Sequence, residues 1–332
     1  MSFFAVLFAL LAEQLKPLSN LNPIHHGLTG WVRWAGRNFD AGADVHARVV
    51  WAITVLAPAA LIAVVYMLTD RYSTVLALGL DIAVLYLTLG FRQFSHHFTD
   101  IRDALEQGRE DRARELLAHW QNLDASELPR TELLRHVLEY SLLAAHRHVF
   151  GVFFWFVVLS SMGLGPAGAV LYRMAEFTSR YWSYRSQTTG AATHDRLMSL
   201  SQTLFSLVDH VPARLTAFGF AVVGNFEDAV DAWRRHAVLW VRPNEGTILS
   251  AASGALGVRL GGQVAPAVAE GHRDVTRTIN AGDTPDVIDA QGSTTGAVPQ
   301  LAHLRSVVGL IWRSMVLWML LLALLSLAHL IG

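Results

Sequence analysis

Cysteine is absent from the 332 residues, which excludes disulfide frameworks, cysteine-ligated zinc or iron–sulfur centres and thiolate nucleophiles. Charge is scarce and balanced: 26 Lys and Arg face 27 Asp and Glu, 16% of the chain, for a net charge of −1. No bulk basic field exists to hold nucleic acid, which is not expected as a partner. No Gly-Lys-Ser/Thr phosphate loop and no Gly-x-Ser-x-Gly elbow occurs, so P-loop and serine-hydrolase chemistry have no footing. The 15 histidines include His25-His26, His96-His97 and the His146/His148 couple, spacings that point to different helix faces rather than the i, i+4 geometry of a shared metal. No metal site is expected. The apolar start lacks a basic beginning and a small-residue cleavage pattern, so no removable signal peptide is expected.

What the chain has is hydrophobicity: 52% of residues are apolar and the mean hydropathy is +0.34, values that belong to a membrane protein. A bilayer core is crossed by roughly 20 apolar helical residues, because backbone groups there find no water. Residues 49–68, 73–91, 149–172 and 306–330 qualify, and 204–224 qualifies weakly because Asp209, Pro212 and Arg214 interrupt it. Residues 3–15 are too short for a comfortable span and read as an interfacial or short membrane helix. The expected fold class is an all-α polytopic membrane protein with about five transmembrane helices, cytoplasmic amphipathic helices and a Gly-rich segment.

The expected organisation is an N-terminal helix and polar segment (1–48), a transmembrane hairpin (49–91), and a cytoplasmic helical region (92–148) turning at Gly108. A transmembrane pair whose second helix is interrupted (149–224) follows, then a cytoplasmic helix, Gly-rich segment and linker (225–305), and a last span (306–332). The latter half of the polar stretch, 265–300, has too few large apolar groups to offset ordering and reads as a mobile linker. Lys and Arg concentrate before residue 49, in 92–148 and in 225–305, which places these regions in the cytoplasm and 173–202 opposite. The expected location is the bacterial inner membrane, multi-pass, with membrane lipid as the surrounding partner.

Several residues can carry chemistry. Asp81 lies mid-span and needs a partner or water; Arg313 in the last span either pairs with it or snorkels. The run Asp209-His-Val-Pro212-Ala-Arg214 has a potential N-cap, a first-turn proline and a cation, and so reads as a helix restart. At membrane depth the same break exposes amides and a guanidinium to a phosphate or carboxylate. Asn244-Glu245-Gly246 and the run Gly254 to Gly262, with Gly257 and Arg259, allow close backbone approach to an anion. As structure, the same glycines make tight turns.

These pieces resemble, in order, the CobD/CbiB family of cobalamin-pathway membrane proteins and its divergent branch, the AmpE proteins. The resemblance runs through Ser95-His96-His97, Asp103 to Gly108, Asp124-Ala125, Arg130-Thr131 to Glu139, Phe154-Trp155, Gly165 to Ala169 with Tyr172-Arg173, Pro212 to Ala217, and Asn244 with Gly254 to Gly262. His96, Asp124, Glu139, Tyr172 and Arg173 are the retained family positions. The family's biosynthetic members resemble an ATP-dependent ligase joining adenosylcobyric acid to aminopropanol or its phosphate. Such chemistry implies ATP and Mg²⁺, an activated carboxyl, phosphate neutralisation and metal-binding carboxylates.

Two departures stand out. Leu143 to His148 replaces a Glu-Asn-Thr-x-Asp-Gly run, and Glu176 to Ser179 replaces Asn-Thr-x-Asp, while the opening Met1-Ser2-Phe3-Phe4 resembles an AmpE start. Losing carboxylates and gaining His146, Arg147 and His148 would turn a cation-attracting site into an anion-attracting one. The first expectation is therefore an AmpE-like, non-catalytic regulatory module of the β-lactamase-induction or cell-wall-sensing type. It would bind a phosphate- or carboxylate-bearing ligand through Asp209, Arg214, Asn244, Gly246, Gly257 and Arg259 without cofactor, and would act with a partner membrane protein. The alternative is an adenosylcobinamide-phosphate synthase with rearranged ligands, in which Asp124, Glu139, Glu176 and Asp209 supply the metal site.

Overall fold

The structure, a computed structural model, describes residues 2–15, 23–40, 43–121, 125–189, 192–262 and 292–331. Among these residues it is all-helical, with two isolated β-bridges and no strand. In chain order the helices are α1 (Ser2–Leu15), α2 (Pro23–Phe39), α3 (Asp44–Trp51), α4 (Ala57–Tyr72), α5 (Thr74–Thr88), α6 (Phe91–Glu106) and α7 (Glu110–Gln121). There follow α8 (Arg130–Ala145), α9 (Gly151–Ser161), α10 (Ala167–Thr189), α11 (Ala192–Val223), α12 (Phe226–His236), α13 (Pro243–Leu256) and α14 (Leu301–Ile331). Single π-turns, Ala52–Leu56 and His146–Phe150, join α3 to α4 and α8 to α9, so each pair is one rod.

Three rods are long and apolar enough to cross a bilayer: Asp44–Tyr72, Arg130–Ser161 and Leu301–Ala328. Their surroundings differ. Only 28% and 33% of the first and third apolar windows are buried inside the protein, against 72% of the second. The first and third therefore present apolar side chains outward, among them Leu61, Val64, Leu68, Leu320 and Leu324, as lipid-facing helices do. The α8–α9 rod is instead the protein's own core. The shorter apolar helices α1 and α5 pack together beside it, and α11 turns the exposed stripe Leu207, Val211, Leu215, Phe218 and Val222 outward at helical spacing. Among the described residues the protein is a membrane-type bundle with three spanning-length rods and shorter apolar helices.

Three sequence expectations are corrected. Residues 149–172 are not one span: Gly163 (φ 78°) and Gly165 (φ 54°) adopt left-handed conformations, Pro166 follows, and the helix ends at Ser161. The bilayer-length apolar run continues backward into α8 instead. The second correction concerns 204–224, where α11 continues unbroken through Pro212, so Asp209 to Arg214 restarts nothing and exposes no helix N-terminus. The third is the linker. Residues 263–291 lie outside the described residues, but the chain from Gly292 to Gln300 is held in place: Val258 bridges Ala297, Gly261 bridges Ser293, and Thr294 exchanges bonds with Leu260.

Hydrophobic residues gather in two clusters. The larger surrounds α8–α9 with α1, α5, α6, α7, α13 and α14; the smaller packs Val32 and Ala35 of α2 and Ala47 and Val50 of α3 against Phe177, Tyr181 and Trp182 of α10. That second cluster, with Arg196 at 4.0 Å from Asp44, brings the first turns of α11 to the start of the α3–α4 rod. Gly165 meets the Tyr66 ring, bringing the α9–α10 turn to the other end of that rod. The arginines of 173–202 thus join the end already rich in basic residues, contrary to the sequence expectation, and the charge asymmetry sharpens.

The cysteine-free background makes this placement testable by single-cysteine labelling. In sealed vesicles Glu127→Cys and Arg196→Cys should react with an impermeant maleimide from one side and Met162→Cys from the other. Labelling of Arg196→Cys together with Met162→Cys would contradict the arrangement.

Candidate functional site

A proline inside a helix removes the donor to the carbonyl four residues back and costs about 3 kcal/mol. In α11 the carbonyl that Pro212 abandons is Val208 O, and Trp155 of α9 donates its indole Nε1 to it at 3.0 Å. Neighbouring carbonyls of the same stretch also take side chains: Asn244 Nδ2 donates to Ser206 O and Arg214 Nη1 to His210 O, both at 2.8 Å. The helix survives its proline because three side chains bond its loosened backbone. Two of them, Trp155 and Asn244, come from other helices.

Asp209 projects from this stretch into the bundle, only 5% exposed. Its Oδ1 accepts from Tyr172 Oη at 2.8 Å and lies 2.7 Å from His146 Nε2, and its Oδ2 accepts from Asn244 Nδ2 at 3.3 Å. His146 Nδ1 lies 2.8 Å from Thr216 Oγ1. The acceptor-only carboxylate of Asp209 calls for the proton on Nε2, whereas the Thr216 hydroxyl, which can donate or accept, serves Nδ1 either way. His146 opens the π-turn between α8 and α9; such turns carry an extra residue in the helix and re-aim side chains.

A cleft of about 440 Å³ opens beside Asp209, between α10, α11 and the start of α13. Its acids are Glu176, Asp209 and Glu245, and its bases Arg147, Arg180 and Arg242. Glu245 Oε1 is shared by Arg147 (2.7 Å) and Arg242 (3.0 Å). Glu176 is gripped by Arg180 (2.6 Å) and Arg173 (3.0 Å). The lining is therefore charge-balanced among the described residues. The expected inversion to an anion-attracting site does not hold, because Glu245 returns a carboxylate to the neighbourhood of Arg147.

The predicted residues fall in different places. Asp209 and Asn244 line the cleft, Tyr172 lies behind Asp209, and Arg214 sits at the edge, 3.4 Å from Asn244 Oδ1. Arg173 reaches the cleft through Glu176. Arg259 does not line it: it is exposed on the turn after α13, its amide bonded to Ala297 O. Gly246 and Gly257 are accounted for by packing. A Cβ on Gly246 would collide with Trp240, and Gly257 (φ 67°) ends α13 in the left-handed region.

Glu139 is fully buried elsewhere, paired with Arg135 at 3.0 Å and accepting the Gly261 amide at 2.6 Å, so it holds the Gly-rich turn rather than a ligand. His96 is exposed on α6, and Asp124 lies outside the described residues. Arg313 is exposed and bonds Gly309 O, while Asp81 is buried on α5. The pairing considered for those two is not made.

Sequence reading missed Glu245, Arg180 and Arg242 as cleft residues. The i, i+4 spacing of Glu176 and Arg180 was visible, but Arg147 and Glu245 are 98 residues apart and nothing local links them.

The chain matches the family model described as CobD/Cbib protein over residues 8–288. The chain belongs to the CobD/Cbib family. Among curated relatives of this family member, a protein from Stutzerimonas stutzeri (strain A1501) named "Cobalamin biosynthesis protein CobD" is 31% identical over 242 residues, 73% of this chain and 71% of the relative. A protein of the same name from Chromobacterium violaceum is 34% identical over 186 residues, 54% of this chain and 55% of that one. One from Leptospira interrogans is 26% identical over 190 residues, covering 55% and 56%. No solved structure matches.

The bond from Trp155 to Val208 can be tested by a double-mutant cycle. Trp155→Phe should destabilise the protein by roughly 1 kcal/mol, the net worth of a hydrogen bond to a partly buried carbonyl. In a Pro212→Ala background, where the helix supplies its own donor, the same change should cost clearly less, read from thermal unfolding in detergent. Equal losses in both backgrounds would show that the indole bond is not what compensates the proline.

Proposed function

We propose that this protein acts in cobalamin biosynthesis as an adenosylcobinamide-phosphate synthase, joining the carboxyl of adenosylcobyric acid to aminopropanol or its phosphate with ATP. The observation that carries this reading is the match across 73% of the chain to a relative named for cobalamin biosynthesis. The relatives found give no support to the AmpE-like regulatory expectation, which is set aside. The reaction is proposed at the inner membrane, with the basic-rich end of the bundle in the cytoplasm, where ATP is available.

The cleft supplies groups suited to such a ligation. Amide formation requires the amine to lose a proton as its nitrogen bonds the activated carboxyl carbon and the leaving group departs. Asp209 is the cleft carboxylate best arranged to take that proton, because Tyr172, His146 and Asn244 fix its position. Arg147 and Arg242 share the single carboxylate of Glu245, and Arg180 and Arg173 that of Glu176, so each pair has donors left over for a phosphate on either substrate. Mg²⁺ in such sites is held by one or two carboxylates plus substrate phosphates. Among the described residues no three His, Asp or Glu converge into a metal cage, so the donors fit a cation brought in on the nucleotide, which Glu176 would help to hold. When bound, the metal–nucleotide supplies the phosphoryl group that activates the carboxyl.

Membranes containing the protein should convert adenosylcobyric acid, ATP and aminopropanol phosphate to a corrinoid amide, read by chromatography. Asp209→Asn should lower the rate on the order of 100-fold or more, while Arg259→Gln, outside the cleft, should leave it unchanged. Absence of product from well-folded wild-type protein, or an Asp209→Asn variant as active as wild type, would refute the reading or the role of Asp209 respectively.

A further inference from the structure

A second pocket, of about 190 Å³, lies between α2 and the C-terminal half of α10, away from the cleft. Arg33 and Arg37, one helical turn apart on α2, line it together with Arg185 of α10. Asp40 is its one acidic side chain among the described residues. Where the main cleft balances three cations with three anions, this pocket carries a cationic surplus.

Its wall is built, not incidental. Gly36 lies where any Cβ would strike the Trp182 ring, so the indole seats directly on the α2 backbone between the arginines. The volume falls below the roughly 300–1,000 Å³ typical of drug-sized ligands, and suits a small anionic headgroup better than a nucleotide. Guanidinium is the side chain that best matches phosphate oxygens, through paired parallel donors.

Location decides the source of the phosphate. Asp40 is four residues before Asp44, where the lipid-exposed α3–α4 rod begins. On α2 itself, Trp31 and Trp34 stack at 5.1 Å, Trp34 is 43% exposed, and Phe39 packs edge-on against it. Aromatic side chains of this kind gather at the headgroup level of membranes.

We propose that the α2–α10 pocket binds the phosphate of an anionic phospholipid, with α2 lying at the membrane surface. The acyl chains then extend along the exposed apolar face of the α3–α4 rod. This site is independent of the reaction proposed above.

Native mass spectrometry of the full chain, titrated with phosphatidylglycerol, phosphatidylcholine or inorganic phosphate, tests it. Wild type should retain phosphatidylglycerol in preference to phosphatidylcholine, and Arg33→Gln/Arg37→Gln should weaken that retention by roughly 30-fold, from about fivefold per basic residue near an anionic lipid. Arg234→Gln/Arg235→Gln on α12 should change nothing. Asp40→Asn should tighten phosphatidylglycerol binding, a gain that misfolding does not produce. Equal retention by wild type and the Arg33/Arg37 variant, or weaker binding by Asp40→Asn, would overturn the site. Inorganic phosphate binding as well as the lipid would overturn the lipid as its source.

Discussion

A carboxylate inside an apolar helical bundle persists only when its oxygens are bonded, because desolvating an unpaired charge costs several kcal/mol. Asp209 is that carboxylate here, and the bundle is arranged around its partners. Tyr172 comes from α10, His146 from the π-turn between α8 and α9, and Asn244 from the first turn of α13. Removing Asp209 would strand donors on three separate elements. The contact therefore fixes how α10, α11, α13 and the central rod meet, and the cleft exists where they meet.

The same rule accounts for the charged and imidazole groups of the central rod. The central rod contains Arg135, Glu139, His146 and Arg147, all buried, although by hydropathy it passes for a membrane span. Each finds a partner inside the protein: Glu139 for Arg135, Asp209 for His146, Glu245 for Arg147. Intramembrane charges behave this way when they face a bundle interior rather than lipid. Outward-facing rods carry apolar side chains instead, which is why the two with the least buried windows and the one with the most share similar hydropathy but not similar surroundings.

Much of this was legible in the sequence, and the rest failed for identifiable reasons. Composition gave the helical membrane class, and the ordered motifs gave the family. Pro212 misled because a proline in a polar run reads as a helix break; the compensating donor, Trp155, is 53 residues from Val208, whose carbonyl it bonds. Hydrophobic length misplaced the 149–172 span because apolar character runs on across the Gly163–Pro166 turn, where backbone conformation rather than hydropathy ends the helix. Asp209 and Asn244 were singled out from sequence and do line one cleft. Arg259 was attached to them by its glycine context, but those glycines serve turns and close packing, and the turn aims Arg259 outward.

The Gly-rich segment nonetheless bears on the cleft, indirectly. Helix α13 delivers Asn244 and Glu245 at its first turn, and its far end is clasped by a returning strip of chain. Ser253 Oγ donates to Val258 O at 2.7 Å, Thr294 bonds Leu260 through both backbone groups, and Gly261 donates to Glu139. Arg135 in turn holds Glu139 while also pairing with Glu132, at 2.5 Å. A ten-residue buried helix face between two pinned ends cannot slide or rotate without breaking buried polar bonds. The clasp therefore sets the register of α13, and with it the position of the amide and carboxylate that complete the Asp209 site. The glycine run thus serves that positional requirement: its close approaches and its bond to Glu139 hold the far end of α13.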